Sequence, residues 1–435
     1  MTETTTKAPQ PSRRDFLKGA SATAALLLAA RQLLPSGAYA QAAGPEVPGL
    51  KLGFIALTDA APLVIAKEKG LFEKHGLPAV EVLKQASWGA TRDNLVLGGA
   101  ANGIDGAHIL SPLPYLMQAG KVTQNNQPLP MSIVARLNTD SQGISVAQAY
   151  KDAGAGLDAA PLKAAFAAKK AAGQTVTVAM TFPGGTHDLW IRYWLAAAGI
   201  DPNKDVTTIV VPPPQMVANM KVGNMDAFCV GEPWNEQLVN QGIGFTAATT
   251  GELWKGHPEK ALGLRTDFLE KNPNTVQALL MAVMEAQQWA DTAANKEEMA
   301  QILGKRAWFN VPPADVAGRL KGDINYGNGR VATATGLEMK FWKDHASYPF
   351  KSHDTWFLTE DIRWGYFPAT TDIKALVDAV NREDLWRGAA QALGVAAADI
   401  PASTSRGPET FFDGKVFDPE NPQAYLDSLA IKALA

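Results

Sequence analysis

Short apolar runs alternate with segments of helical periodicity along most of the chain. Residues 52–56 form the first apolar run, which we interpret as a strand, and the polar pair Thr58 and Asp59 follows it. The next segment carries Pro62 in its first turn, and Gly70 follows its last helical position. We therefore predict a helix that the polar pair caps and that ends at Gly70. This alternation indicates parallel sheets with right-handed crossovers.

The same alternation restarts at residue 175. A strand at residues 175–180 is followed by the glycines Gly184 and Gly185, and a helix then begins at Thr186. Beyond residue 273 the chain is mostly helical, and residues 275–292 form its clearest amphipathic run. The predicted strands lie at residues 52–56, 80–83, 131–137, 175–180, 207–211, 227–230 and 261–264.

Two successive α/β units followed by a helical return predict a two-lobed α/β fold, with the second lobe inserted into the first. We place the first lobe at residues 45–136 and 262–435, and the inserted lobe at residues 137–261. The two connections between the lobes would act as hinges. Because ligands bind beyond the carboxyl ends of the strands in open α/β sheets, we expect the binding cleft there.

The first forty residues have the pattern of an export signal. Arg13 and Arg14 form a twin-arginine motif, residues 20–28 are apolar, and small residues precede a cleavage position at Ala40. The apolar run is shorter than the roughly 18–20 residues that cross a bilayer. We therefore expect the twin-arginine translocase to export the folded protein, and residues 1–40 to be removed near Ala40. The mature protein would be soluble and periplasmic.

Removal of the signal changes the charge balance. The full chain has 40 basic and 43 acidic side chains and a net charge of −3. Residues 1–40 carry five basic and two acidic side chains, so their removal takes the net charge to −6. An acidic surface does not attract nucleic acid, which we exclude as a partner. A site for an anion must therefore be built from local donors.

Composition and motifs exclude several other classes of site. The apolar fraction of 46% is that of a globular protein. The single cysteine, Cys229, excludes a disulfide framework, a multi-thiolate metal site and a lipid anchor at the cleavage position. It lies in an apolar strand, so we interpret it as a core residue. The six histidines show no metal-ligand spacing, and the sequence has no nucleophile elbow or phosphate loop. We predict no metal, no cofactor and no enzymatic activity.

Six segments spread over the chain carry a resemblance to a known family. They are residues 86–94, 103–110, 182–188, 230–234, 257–260 and 352–354. These motifs resemble those of the nitrate-binding proteins of nitrate ABC importers, and the similarity extends from about residue 50 to residue 426. The resemblance implies a periplasmic-binding-protein fold, type II-like, with parallel or mixed sheets flanked by helices and two hinge crossovers. It also implies that the protein clamps one small oxyanion and passes it to an ABC permease and its ATPase.

The ligand contacts of that family fall on residues of matching type in this chain. The resemblance implies binding roles for Trp88, Gln142, Gly143, His187, Gly231, Glu232 and Lys260. Nitrate is a planar monoanion with three acceptor oxygens and no donor, so its site needs a ring of donors with net positive character. The indole, amide, imidazole and ammonium groups of this set supply such donors. Two or three charge-assisted hydrogen bonds of about 1.5–3 kcal/mol each support micromolar binding.

Four of these residues carry specific expectations. We expect Gln142 in a polar loop near the hinge, and His187 beside two glycines whose backbone amides form an anion seat. Glu232 would repel an anion, so we expect it to be exposed after its strand, or to accept from His187 or Lys260 and keep the imidazole protonated. A fixed ammonium at Lys260 suits a monoanion alone, whereas a calcium ion needs acceptor oxygens and no competing cation. Lys260 therefore favours nitrate.

The sequence thus predicts a protein that binds nitrate and also nitrite. A bicarbonate-binding protein that uses calcium, as in close relatives within the family, is the first alternative. A cytoplasmic nitrate sensor is the second, but the twin-arginine motif argues against it because a cytoplasmic protein needs no export signal. Binding of a larger organic ligand is a weaker alternative, since that ligand needs an aromatic cage larger than one tryptophan.

Overall fold

A computed structural model describes residues 44–433 except Ser141 and Ala334. The predicted export signal at residues 1–40 lies outside the described residues. The strands are β1 Lys51–Phe54, β2 Glu81–Lys84, β3 Gly106–Leu110, β4 Met131–Arg136, β5 Gln142–Ala147, β6 Thr177–Met180, β7 Thr207–Val210, β8 Ala227–Gly231, β9 Gly244–Thr249, β10 Lys260–Arg265, β11 Ile324–Asn325, β12 Val331–Ala332, β13 Glu409–Thr410 and β14 Val416–Phe417.

The first of two five-stranded sheets is mixed. Its strands lie in the order β2-β1-β3-β10-β4. Strand β1 is parallel to β2 and β3, whereas β10 is antiparallel to β3 and β4. Strand β10 follows all strands of the second sheet along the chain, so the chain leaves the first sheet, builds the second one and returns.

The second sheet repeats this arrangement in the order β7-β6-β8-β5-β9. Strand β6 is parallel to β7 and β8, whereas β5 is antiparallel to β8 and β9. In each sheet an antiparallel strand begins beside the carboxyl end of a parallel one, because Lys260 pairs with Leu110 and Gln142 pairs with Gly231. The polar residues that begin β5 and β10 therefore lie at the same edges as the loops that follow β3 and β8.

Helices flank both sheets. The amphipathic helix predicted at residues 275–292 spans Pro273–Asp291 and buries one face along its whole length. The α-helices are α1 Ala61–Glu68, α2 Leu71–Lys74, α3 Trp88–Leu97, α4 Leu113–Gln118, α5 Leu162–Ala171, α6 Thr186–Ala197, α7 Met216–Lys221, α8 Trp234–Asn240, α9 Thr250–Leu253, α10 Thr266–Lys271, α11 Pro273–Asp291, α12 Lys296–Gly304, α13 Ala314–Leu320, α14 Lys351–Arg363, α15 Ile373–Val380, α16 Glu383–Leu393 and α17 Pro422–Ser428.

The seven predicted strands are all present, with ends that differ by at most two residues. Three strands of the two five-stranded sheets were missed, β3, β5 and β9. The prediction of a polar loop at Gln142 is wrong, because Gln142 begins β5 and residues 142–146 are buried. Gln142 and Ser145 break the apolar pattern of this strand, so its burial comes from the neighbouring strands β8 and β9 and not from its own hydrophobicity.

Two hydrophobic clusters form the core. The second cluster is rich in aromatic rings, and Trp190 stacks on Trp356 with ring centroids 4.8 Å apart. Phe411 and Tyr425 from the C-terminal segment belong to the same cluster. Part of the segment that the sequence analysis assigned to the first lobe therefore packs against the core of the second sheet.

Cys229 lies buried in β8, as predicted for a core residue. Burial raises the pKa of its thiol well above the usual value, which keeps the thiol protonated. Among the residues that the structure describes, no helix combines the length and the apolar composition needed to span a bilayer.

Candidate functional site

Polar side chains from both sheets meet beyond the carboxyl ends of the parallel strands. The loop after β1 contacts the end of β8, where the backbone N–H of Thr58 donates to the carbonyl of Glu232 at 2.7 Å. Gly231 allows this approach, because a Cβ atom at that position would lie 3.2 Å from Oδ2 of Asp59. The two edges therefore line one enclosed site, whose side chains are buried.

The ammonium of Lys260 lies between two carboxylates. Its Nζ donates to Oδ2 of Asp59 at 2.9 Å and to Oε2 of Glu259, and all three side chains are buried. Burial lowers the pKa of Lys260, but Asp59 and Glu259 together raise it above the usual value. Lys260 is therefore a fixed cation, as expected, but acidic neighbours that the sequence analysis did not anticipate already balance its charge.

Asp59 connects Lys260 with His108. Its Oδ1 lies 2.5 Å from Nε2 of His108, while Nδ1 of that ring accepts the backbone N–H of Ile55 at 3.4 Å. The imidazole is therefore neutral with its proton on Nε2, and burial lowers its pKa accordingly. Burial disfavours the ionised form of Asp59, but Lys260 and His108 outweigh it and lower the pKa of that carboxyl. Asp59 is thus an anion held by two donors.

The prediction that Thr58 or Asp59 caps the following helix is wrong. Helix α1 begins at Ala61, and no side chain caps it. The Asp59 carboxylate bonds to Lys260 instead, because a buried carboxylate gains more from an ammonium than from a backbone amide. The Oγ1 atom of Thr58 is buried and has no hydrogen-bond partner among the described residues.

Glu259 is the second carboxylate beside the ammonium. Its Oε1 is buried and makes no hydrogen bond within the described part of the chain. Its backbone carbonyl accepts from the hydroxyl of Ser111 at 2.5 Å, which holds the residue at the start of β10. Burial raises the pKa of Glu259, and Lys260 offsets only part of that effect.

Trp88 begins α3 and is fully buried. Ser87 caps this helix by accepting the backbone N–H of Ala90 at 3.1 Å, so the ring is held at the helix start. The indole lies 5.4 Å from the His108 ring and 5.8 Å from Nζ of Lys260. Its Nε1 has no acceptor in the described ranges. Because buried donors are normally satisfied, this N–H is available to a ligand.

His187 lies in the first turn of α6 and is also fully buried. Its Nδ1 pairs with the hydroxyl of Thr181, whereas Nε2 has no partner among the residues described. Burial, and then the charge of Lys260, lower the pKa of His187 well below its usual value. The alternative in which Glu232 keeps this imidazole protonated does not fit these surroundings. When Thr181 donates to Nδ1, the neutral ring presents an N–H at Nε2.

The predicted anion seat at the glycine pair is wrong as well. The N–H of Gly184 donates to Oδ2 of Asp188 at 3.0 Å, and the N–H of Gly185 donates to the carbonyl of Phe182 at 3.0 Å. These amides are used within the turn before α6. The two glycine amides are therefore not available to a ligand.

Gln142 and Gly143 reach the site from β5. The amide Nε2 of Gln142 donates to Oγ1 of Thr186 at 3.3 Å, and Oε1 lacks a partner in the described part. Gly143 provides room, because a Cβ atom there would lie 2.6 Å from Cγ of Asn235. That asparagine is itself fixed by the carbonyl of Val230 at 2.8 Å. Gly143 thus matters for close packing around β5.

Both expectations for Glu232 are wrong. The side chain is buried, and its carboxylate bonds to neither His187 nor Lys260. Its Oε1 accepts from the guanidinium of Arg319 at 2.7 Å, and its Oε2 accepts from the backbone N–H of Glu236 at 3.1 Å. Burial raises the pKa of Glu232, and Arg319 opposes that effect. Arg319 comes from α13, and no motif pointed to it.

Sequence reasoning missed Thr58, Asp59, His108 and Glu259. Signals in the sequence could have indicated two of them, His108 and Glu259. His108 is a polar residue in the middle of an otherwise apolar strand, and Glu259 directly precedes a lysine that was already a candidate. Thr58 and Asp59 gave no such signal, because a threonine–aspartate pair before a helix is normally a cap.

The arrangement suits a ligand that accepts hydrogen bonds. Nε1 of Trp88 and Oγ1 of Thr58 are buried donors with no protein partner in the described chain, and so is Nε2 of His187 when Thr181 donates to Nδ1; they accompany one ammonium. A buried donor without an acceptor costs about 1–3 kcal/mol, which a bound acceptor recovers. No group of three or more His, Cys, Asp or Glu side chains in the described part is placed to hold a metal ion.

The chain matches two family models. Residues 43–304 match the NMT1-like family, which is more than half of the chain. Residues 10–30 match the twin-arginine translocation signal sequence, which confirms the predicted export motif.

Three relatives show what the chain is similar to. The nitrate/nitrite binding protein NrtA of Synechocystis is 66% identical over 394 residues, which cover 90% of this chain and 86% of that protein. The crystal structure of the periplasmic nitrate-binding protein NrtA from Synechocystis superposes with a TM-score of 0.87, covering 89% of this chain and all of the other. The bicarbonate-binding protein CmpA of Synechococcus elongatus is 46% identical over 396 residues, 89% of this chain and 88% of that protein. The nitrate import ATP-binding protein NrtC of Synechocystis is 34% identical over 389 residues, 89% of this chain but 56% of that protein.

These similarities confirm the resemblance and the periplasmic-binding-protein fold that the motifs predicted.

Proposed function

Since the chain belongs to the NMT1-like family and is 66% identical to a nitrate/nitrite binding protein, we propose that it is the exported solute-binding protein of a nitrate ABC importer. It binds nitrate, and also nitrite, between two lobes and delivers the anion to a membrane permease and its ATPase. The lobes are residues 45–136 with 262–435, and residues 137–261. The protein acts by binding and release and catalyses no reaction of its own.

One observation carries this proposal. Three buried side-chain donors, at Thr58, Trp88 and His187, lack acceptors within the described chain, and they lie with Lys260 where the edges of the two sheets meet. Nitrate supplies acceptor oxygens in one plane and brings no donor that would compete. Nitrite offers the same acceptor chemistry with one oxygen fewer, so it binds through a subset of these contacts.

The charges of the site support a monoanion. His108 and His187 are neutral, so Lys260 is the cation of the cluster. A dianion such as sulfate would add one negative charge more than nitrate to a cluster whose single ammonium already faces two carboxylates. Binding by local donors also fits a mature chain whose net charge of −6 repels anions at long range.

Bicarbonate is the second candidate, because two buried acceptors also lack partners among the described residues. They are Oε1 of Gln142 and Oε1 of Glu259, and either could accept the hydroxyl of bicarbonate. Binding with calcium is disfavoured, since the carboxylates of Asp59 and Glu259 are already bonded to Lys260. A calcium ion would have to compete with that ammonium for its oxygen ligands.

The export step follows from the N-terminal motif. The twin-arginine signal matched at residues 10–30 directs the chain across the inner membrane, so the mature protein acts in the periplasm. Recovery of the intact chain from the cytoplasm alone would contradict this part of the proposal and favour a sensor.

Isothermal titration calorimetry of the mature protein tests the ligand. Nitrate, nitrite and sulfate are titrated separately, and bicarbonate is titrated with and without calcium. We expect nitrate and nitrite to bind with micromolar or tighter affinity, about −8 kcal/mol, and sulfate not to bind. Calcium-dependent binding of bicarbonate without any binding of nitrate would overturn the assignment.

A further inference from the structure

The buried site has one carboxylate more than its ammonium can balance. Lys260 bonds to both Asp59 and Glu259, and the two nearby imidazoles are neutral. With both carboxylates ionised, the cluster of Asp59, Glu259 and Lys260 has a net charge of −1. A bound nitrate would make the net charge of this enclosed cluster −2. Uncompensated buried charge costs several kcal/mol per ion, so one carboxylate should lose its charge when the anion enters.

The two carboxylates differ in their hydrogen bonds. Both oxygens of Asp59 are bonded, Oδ1 to His108 and Oδ2 to Lys260. Glu259 has one bonded oxygen, while its Oε1 is buried and has no partner in the described residues. Hydrogen bonds from donors favour the ionised form, so Glu259 is the carboxylate that accepts a proton more readily.

Groups from several elements face the Glu259 carboxyl. Lys260 from its own strand favours ionisation, and Asp59 from the loop after β1 opposes it. The hydroxyl of Thr186 from α6 favours ionisation weakly, and the thiol of Cys229 from β8 is protonated and neutral. Burial is the strongest influence, and it raises the pKa of Glu259. A nitrate ion in the same enclosure acts in the same direction as Asp59.

We propose that Glu259 is a further ligand-binding residue, which takes up one proton from solvent when nitrate binds and presents a neutral carboxyl with an O–H donor to the anion. This inference rests on the proposed function. The proton returns to solvent when nitrate leaves, so no other reactant is needed. The bound state then holds Asp59 and Lys260 as a neutral pair, and the nitrate carries the one remaining charge.

Proton uptake makes the affinity depend on pH in a defined direction. Below the pKa of Glu259 in the free protein, the carboxyl is already protonated and the Kd stays constant. Nitrate raises this pKa further, and between the two values each binding event must take a proton from solvent. There the Kd rises by up to about tenfold per pH unit.

Calorimetry in pairs of buffers with different ionisation enthalpies measures the protons taken up per nitrate. We expect uptake that approaches one proton for the native protein over part of the range from about pH 5 to about pH 9. The variant Glu259→Gln keeps the shape and an N–H donor but cannot titrate. It should bind nitrate without proton uptake and with a Kd that does not vary with pH. The control Glu81→Gln, at an exposed position on β2, should keep the native pH dependence.

Two results would overturn the inference while the proposed function stands. One is nitrate binding by the native protein with no proton uptake at any pH. The other is full uptake in Glu259→Gln, which would place the proton on His187. Absence of nitrate binding by the native protein would overturn the proposed function together with this inference.

Infrared difference spectroscopy of the native protein provides a test that does not depend on the variant's folding. We expect nitrate to produce a new band of a protonated carboxyl group. Its absence would count against Glu259 as the proton acceptor.

Discussion

The two sheets contribute unlike groups to the site. The edge of the first sheet supplies the ionised groups, since Asp59, Glu259 and Lys260 all lie on its loops or at the start of β10. The edge of the second sheet supplies the amide of Gln142 and the imidazole of His187, which are neutral, whereas the donors of Thr58 and Trp88, unpaired within the described chain, lie beside the charges on the first edge. Two acidic residues described at this second edge are paired elsewhere, Glu232 with Arg319 and Asp188 with Arg192.

An acidic protein can hold an anion through such a combination of paired charges and neutral donors. A charge that must be buried needs fixed partners, and the first sheet provides them within one small network. A neutral donor without a partner costs only about 1–3 kcal/mol, so neutral donors from both edges suit the positions that contact the ligand. We expect substitutions in the charged edge to affect both folding and binding, and substitutions among the neutral donors to affect binding.

The largest effect is expected from Lys260→Ala. Removal of one partner from a buried ion pair typically costs about 3–5 kcal/mol, because the carboxylates of Asp59 and Glu259 are then left facing each other. Urea unfolding should show this loss in the unfolding free energy. Nitrate affinity in calorimetry should fall more than tenfold, above about 1.4 kcal/mol.

Lys121→Ala is the control for the first prediction, since Lys121 is exposed in the segment before β4. It should match the native protein in both measurements. Native nitrate affinity in Lys260→Ala would show that the ammonium does not take part in binding, and it would contradict the role of the first sheet's charged groups.

The next effect is expected from Asp59→Asn, which removes one charge and keeps the shape. The variant should lose about 1–3 kcal/mol of unfolding free energy at neutral pH. The pKa of Asp59 is lower in the folded chain than in the unfolded one, so its stabilisation is complete above the unfolded value of roughly 3.9. The difference from the native protein should therefore shrink as the pH falls below about 4, as measured by urea unfolding across that range.

Asp152→Asn, at an exposed position, is the matched control. A constant difference between Asp59→Asn and the native protein from neutral to acidic pH would contradict an ionised Asp59.

A smaller effect is expected from Trp88→Phe, which removes an indole N–H and keeps most of the ring. Because this N–H has no protein acceptor in the described chain, stability should change by less than about 1 kcal/mol, whereas nitrate affinity should fall about tenfold. Calorimetry and thermal unfolding separate the two effects. Trp289→Phe, on α11, should leave the affinity at the native value. A large loss of stability with native affinity would assign Trp88 to packing.

The smallest effect on affinity is expected from Glu232→Gln. Its carboxylate bonds to Arg319 and not to a donor of the site, so nitrate affinity should change by less than about twofold, within 0.5 kcal/mol. The unfolding free energy should fall, because Arg319 loses its charged partner. Arg319→Met should reproduce this pattern. A tenfold loss of nitrate affinity in Glu232→Gln would show that the carboxylate of this residue contributes to binding.

Much of the architecture could be predicted because it depends on local pattern. Apolar runs placed seven strands, and the helix at Pro273–Asp291 followed from its periodicity. Strand β5 could not be predicted, since Gln142 and Ser145 are polar and are buried only by their neighbours in the sheet. The antiparallel place of β10 in the first sheet was not visible either, because strand pairing depends on residues distant in the chain.

The export signal, the two α/β units and a set of donor side chains near the ends of strands follow from the local pattern of residues. The pairing of the charges follows from the fold. Lys260 meets Asp59 across 201 positions of chain, and Glu232 meets Arg319 across 87. Both acidic residues precede helices and looked alike in sequence. The physical reason is that ion pairing depends on distance and burial in space, which the fold sets, while a motif shows only which groups are present.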